Sequence, residues 1–397
     1  MSTSPITATR SSGDKYLELV LRFSRLQPDL IDSYIGPAEL KARVEAEPPS
    51  TYERIAEEAT ELNAEVGAGE PDDARRRWLA AQLTGLETAC RWFAGEEIAY
   101  TELVRRCHQV EARIVPEEEF AAAHARLEEA LPGKGSLNER FNAWRESQYV
   151  PPELIGPGLE TLAAELRKRT AALIELPDGD HVDFVLVTDK PWSGFCEYLG
   201  NLRTQISINV DLPIPSSQLF ELVTHEVYPG HHTEHLCKEP LLAEQGRSEL
   251  AVFLFTTPHT VVAEGIATTA HEAILGAEAD HAAAEILRPL GITYDADTAA
   301  AVRTADDILR SVGPNLVQLR AEGRMARDEA RPYARRWYIE PDEVVDKALA
   351  FYLDDTWPAY GVCYPAGMAL ARRFAGGNPE RFRRLLSEQL TPQDLAA

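Results

Sequence analysis

The chain has 397 residues, a formal net charge of −24, and 44% hydrophobic and 26% charged residues, a balance that suits one large globular fold or two smaller ones. The acidity argues against nucleic acid as a partner, since phosphate binding needs clustered Lys and Arg, and no run approaches the roughly 18 continuous apolar residues of a membrane span. Five scattered cysteines without a C-x-x-C pair argue against a disulfide framework or a cysteine zinc knuckle.

Residues 1–13 show neither helical periodicity nor an apolar signal core, so a disordered N-terminus and a cytoplasmic location are expected. From 14 to 175 helical periodicity recurs in KYLELVLRFSRL, AEEATELNAEV, RRRWLAAQLTGLETACRWF, EEEFAAAHARLEEAL and LETLAAELRKRTAALIEL, separated by short breakers such as EPPS and LPGKGS. This predicts an N-terminal helical layer. Residues 176–397 would form the metal-binding part of the same continuous fold.

Near 178 the pattern changes. VDFVLVT (182–188) and TQISINV (204–210) are short, alternating and β-branched, which predicts two strands joined by the connection DKPWSGFCEYLG. DLPIPSS then announces the helix QLFELVTHEVY, and helical spacing continues through LAVFLFTTPHTVVAEGIATTAHEAIL to the C-terminus. The expected fold class is mainly α with a small β-sheet, with a cleft between the N-terminal helices and the 218–275 helices.

The stretch LVTHEVYPGHHTEHLCKE (222–239) holds four of the ten histidines and three glutamates. Imidazole and carboxylate are good zinc ligands, and a glutamate beside the first ligand can take a proton from water that the ion activates. His225-Glu226 supplies that pair. In an H-E-x-x-H helix the second histidine follows at i+4, about 40° around the axis, but here position i+4 is Pro229. His231, at i+6, would lie about 120° away in an unbroken helix. Pro229 clashes with the carbonyl of His225, and Gly230 tolerates unusual backbone angles, so a bulge at this pair is expected to return His231 to the ligand position. His232 is an alternative. So is the inverted order H-x-x-E-H, with His231 and His235 as ligands and Glu234 as base.

A third ligand is expected from another helix. Glu264 stands in the mostly apolar VVAEGIATTAHEAI, where an unpaired carboxylate would be costly. His271 and Glu272 are candidates to orient a ligand.

HEVYPGHH (225–232) and EGIA (264–267) together resemble the helical family known as domain of unknown function 885, with its H-E-x-x-P-G-H-H and E-G-x-A motifs. SYIGPAELKARVEAEPP, TDKPWSGFCEYLG, INVDLP and YPAG (364–367) are also similar to its shorter members. That family is in turn similar to the Taq-type helical zinc carboxypeptidases. The resemblance implies a helical zincin-like architecture, a zinc site of His225, His231 and Glu264, and Glu226 as base; another divalent ion is possible with the same ligands. It further implies Tyr364 as oxyanion donor, with Tyr360 and Tyr228 as rivals, TQISINV as the strand that pairs with substrate, and Arg203 and Arg372 as carboxylate clamps. The expected activity is hydrolysis of an amide bond in a short peptide. The alternatives are a non-peptide amide or ester hydrolase, or a non-catalytic helical binding protein.

Overall fold

The computed structural model describes residues 10–190, 194–357 and 359–397. Most of the segment expected to be disordered, residues 1–9, lies outside these. The remainder is ordered sooner than expected, because the helix Ser12–Ser24 begins with a capping box. Asp14 N donates to Ser11 Oγ and Ser11 N to the Asp14 carboxylate, each at 3.1 Å, so two otherwise orphaned amides are satisfied.

All five periodic N-terminal segments lie in helices, among them Tyr52–Gly69, Asp73–Phe93, Glu117–Ala130 and Pro152–Leu173. The helices Ser12–Ser24, Tyr52–Gly69 and Asp73–Phe93 supply most of one buried cluster, and this cluster and two others also take in residues beyond 175. Tyr16, Phe23 and Leu79 pack with Ala251, Val252 and Leu254. Leu159 and Leu166 pack with Ile206, Phe220 and Leu287, and Phe120 and Trp144 with Leu309 and Trp337. Each large buried side chain contributes about 1.5–3 kcal/mol by leaving water, so residues 14–175 and 176–397 are stabilised jointly.

Among the described residues, five strands form two small sheets: β1 (Ile31–Tyr34), β2 (His181–Val187), β3 (Gly194–Gly200), β4 (Arg203–Asn209) and β5 (Val252–Leu254). β1 and β5 pair antiparallel, with an irregularity between Ile31 and Ser33 that singles out Asp32. The other sheet has the order β2-β4-β3, with β2 parallel to β4 and β3 antiparallel to it. The two expected strands are β2 and β4. β3 occupies part of the expected connection, and β5 interrupts a stretch expected to be helical. β1 and β5 have four and three residues, too few for alternation to show.

Two helices bring the C-terminal third to the motif. Pro258–Leu275 and Cys363–Ala375 meet glycine to glycine: a Cβ on Gly265 would lie 2.5 Å from the carbonyl oxygen of Gly367, and one on Gly367 would lie 2.3 Å from that of Val261. Glu264, the neighbour of Gly265, is thereby held beside the start of the second helix. Gly367→Ala should therefore lower stability by about 1–3 kcal/mol through overpacking. Gly67→Ala, where no atom lies within 4 Å of the added carbon, should be neutral or mildly stabilising. Denaturant unfolding of both variants checks this, and equal stability of the two would refute the close crossing.

Candidate metal centre

The motif does not form one bulged helix. The helix Ser216–Glu226 ends at Glu226, and a second helix, His231–Gln245, begins after Val227-Tyr228-Pro229-Gly230. Pro229 has no N–H to continue the ladder, so the chain turns away and restarts. Val227 O accepts from both Thr233 N (3.2 Å) and Thr233 Oγ1 (2.9 Å), which hooks the second helix onto the end of the first. A Cβ on Gly230 would lie 1.7 Å from the carbonyl oxygen of His225, so only glycine permits this return.

The turn brings together what a straight helix would separate. The His225 and His231 rings are edge to face with centroids 4.8 Å apart. One ligand atom each from His225, Glu226 and His231 lie within 4.8 Å of one another. Glu264 joins them from the helix Pro258–Leu275, with Oε2 3.5 Å from His225 Nε2. Its Oε1 accepts from Tyr360 Oη at 2.6 Å, whereas the buried Oε2 has no hydrogen-bond partner. A buried carboxylate oxygen without a hydrogen-bond donor is costly; His225 at 3.5 Å compensates it in part, and a cation among these groups would satisfy it more fully. Burial disfavours a charge on His225, yet Glu264 and Glu226 outweigh that and push its pKa up to about 9. The donor set thus fits a divalent ion such as zinc, and its charges favour a cation.

The rivals of His231 face elsewhere. His232 is fully buried, with Nδ1 2.6 Å from Thr204 Oγ1 and Nε2 facing Asp180 at 3.6 Å. His235 stacks on Tyr198 at 4.4 Å with 6° between the planes. Glu234, the base of the inverted order, binds Lys238 and His259 Nε2, the latter at 3.0 Å. These contacts weigh against the inverted arrangement.

Tyr364 stands beside the group, its ring 6.4 Å from that of His225 and its hydroxyl 3.3 Å from Tyr360 Oη. Burial and the nearby Glu264 push its pKa well up, so the phenol keeps its proton at neutral pH. Of its rivals, Tyr360 is engaged with Glu264, and Tyr228 donates to Asp180.

Other expected residues are not brought to the site. Arg203 is exposed and paired with Asp183 at 3.1 Å. Arg372 binds Glu272 at 2.7 Å and Asp307 at 2.6 Å. Neither arginine forms a hydrogen bond or ion pair with His225, Glu226, His231 or Glu264 among the described residues. His271 and Glu272 belong to that arginine-rich cluster; burial and Arg303, Arg372 and Arg310 press His271 down to about 3. TQISINV is β4, which is hydrogen-bonded on both edges and has no edge left for substrate. The strand beside the group is β3, where a Cβ on Gly194 would lie 3.8 Å from Glu226 Oε1.

Asp32 was not foreseen. It is the irregular residue of β1, and bulges re-aim side chains. Burial, then the fields of Glu226, Glu264, Glu197 and Glu234, raise its pKa well above the ordinary carboxyl range. It forms no hydrogen bond or ion pair among the described residues. No spacing in the sequence marks it, since it reaches the site only through the pairing of β1 with β5.

No family model and no curated protein matches the chain. Among solved structures, its fold is similar to that of a chain described as a "putative lipoprotein" from Colwellia psychrerythraea, with a TM-score of 0.53 and 17% identity over 87% of this chain and 66% of that one. At that identity the likeness concerns the fold: mainly α with small sheets.

Glu234 and Lys238 are 3% and 6% exposed, so removing one leaves the other charge buried. Burial opposes ionisation of Glu234, but Lys238 and His259 hold its carboxyl below the usual range. Its contribution to stability is therefore present above the unfolded carboxyl pKa, about 4.3, and lost as pH falls through the depressed folded value. Lys238→Met should cost about 3–5 kcal/mol at pH 7, with the deficit shrinking toward pH 4 as the stranded carboxylate takes a proton. Urea unfolding at both pH values checks this; a deficit that does not change with pH would refute it.

Proposed function

We propose that the chain is a zinc-dependent hydrolase of amide bonds, with a helical zincin-like architecture and short peptides as substrates. The observation that carries this reading is the convergence of His225, Glu226 and His231 at the helix break, joined by the buried Glu264 oxygen that has no hydrogen-bond donor. The resemblance of HEVYPGHH and EGIA to family 885 supports the same assignment.

His225, His231 and Glu264 would hold the ion, which supplies a Lewis acid that polarises a carbonyl and makes water nucleophilic near neutral pH. Glu226 takes the proton from the attacking water and returns it to the leaving nitrogen. Tyr364, whose phenol keeps its proton, donates to the developing oxyanion. Tyr360 holds Glu264 by its other oxygen and so leaves Oε2 to the ion. The substrate backbone would lie along β3, the edge strand next to Glu226.

With Arg203 and Arg372 engaged elsewhere, the carboxylates of the site are Glu226 and Glu264, and burial together with their fields keeps Asp32 protonated. This supports a substrate carrying an ammonium group rather than one recognised by its carboxylate.

After zinc reconstitution, elemental analysis should find one equivalent of metal in the wild type and in Glu226→Gln, but none in His225→Ala. Glu226→Gln should lose about 10²–10⁴-fold in turnover of dipeptides or acylated amino acids. Metal no higher than trace in the reconstituted wild type would rule the reading out, and stoichiometric metal without turnover of either substrate group would favour a binding protein. Acetylation of a peptide's free amino terminus should raise KM about tenfold. An equal KM for the free and acetylated forms would count against ammonium recognition.

A further inference from the structure

Among the described residues no hydrogen bond fixes the ring of His231, which packs edge to face on His225. Glu264, by contrast, is tied to Tyr360, and His225 faces Glu264 Oε2 at 3.5 Å. The position of His231 therefore depends on whatever holds the Tyr228–His232 turn.

One buried carboxylate lies against both sides of that turn, hydrogen-bonded on one and beyond hydrogen-bond reach on the other. Asp180, with its side chain 1% exposed, precedes β2. It accepts from Tyr228 Oη on one side of Pro229-Gly230-His231 and faces His232 Nε2 at 3.6 Å on the other. The Tyr228 and His232 rings meet edge to face at 5.2 Å. Behind Asp180, Arg167 Nε donates to its two oxygens at 3.0 and 3.1 Å. On the far side of the imidazole, Thr204 Oγ1 of β4 lies 2.6 Å from His232 Nδ1.

Arg167 and Tyr228 thus fix Asp180. His232, fully buried, is joined to β4 by the short contact of its Nδ1 with Thr204 Oγ1, and Asp180 lies beyond its Nε2. Because His231 and His232 are consecutive at the start of a helix, fixing one ring's backbone sets the direction of the other.

We infer that Asp180, with Thr204 and Arg167, is a positioning centre for the metal site, holding His231 in ligating position through its neighbours Tyr228 and His232. This differs from the usual arrangement, in which the carboxylate bonds the ligand histidine itself. The inference rests on the zinc reading proposed above. It assigns a role to the second histidine of the P-G-H-H element: an anchor into the sheet.

The test compares wild type, Asp180→Asn, Thr204→Val and Thr204→Ser. Zinc affinity is measured by competition with a chromophoric chelator, the visible spectrum of bound cobalt(II) is recorded, and the Tm of the metal-free proteins is determined. Asp180→Asn should bind zinc about 10–100-fold more weakly at a temperature far below its Tm, with an altered cobalt spectrum. Thr204→Val should shift both in the same direction, while Thr204→Ser, which keeps the hydroxyl, should behave as wild type. Should Asp180→Asn not fold, the Thr204 pair alone decides. Unchanged affinity and spectrum alongside a lowered Tm would make the cluster purely structural and overturn the inference. A wild type that takes up no zinc would instead overturn the metal-centre reading, and this inference with it.

Discussion

The site depends on the close approach of Gly230 to the carbonyl of His225. With a hypothetical Cβ only 1.7 Å from that oxygen, the second helix can restart where it does only because residue 230 has no side chain. Pro229 adds the complementary constraint, since it cannot donate to the His225 carbonyl and so ends the first helix there. Two histidines six residues apart, which a straight helix would place on different faces, consequently meet ring against ring. The hook from Thr233 to Val227, the hydrogen bond from Tyr228 to Asp180 and that between His232 and Thr204 hold the same turn from other sides.

Electrostatics gives this geometry its chemical meaning. Buried carboxylates are expensive unless each finds a cation or a donor. Glu234 finds Lys238, Asp180 finds Arg167, and Glu264 is half satisfied by Tyr360. Acidic groups left without a hydrogen-bond donor among the described residues collect in one place, where Glu264 Oε2 and Glu226 lie with two imidazoles. The raised pKa of His225 is the same imbalance seen from the histidine. For the metal proposed here, ligation by two imidazoles favours a transition-series ion over calcium or magnesium.

Much of this was legible in the sequence where local chemistry carries the signal. Periodicity located the long helices, alternation located β2 and β4, and the spacing of His225, Glu226, Pro229, Gly230 and His231 marked the turn. A carboxylate in an apolar run singled out Glu264. What stayed hidden depends on pairing at a distance. Asp32 approaches the site through a four-residue strand whose partner lies more than two hundred residues away, and Asp180 matters only because Arg167, Tyr228 and His232 surround it. The extent of the break at Pro229 was also underestimated. A bulge would have kept one helix, whereas the missing amide and the Thr233 hook produce two. Arg203 and Arg372 illustrate the converse error, for an arginine cannot be known to be free until its carboxylate neighbours are seen.

The central claim is that the broken helix builds a metal site from His225, His231 and Glu264. X-ray absorption at the zinc edge of the reconstituted full chain tests it most directly. The account predicts first-shell nitrogen and oxygen at about 2.0–2.2 Å, with outer scattering from two imidazoles that falls to one in His231→Ala and remains at two in His235→Ala. A first shell containing sulfur at about 2.3 Å, or imidazole scattering that His231→Ala leaves unchanged, would contradict it.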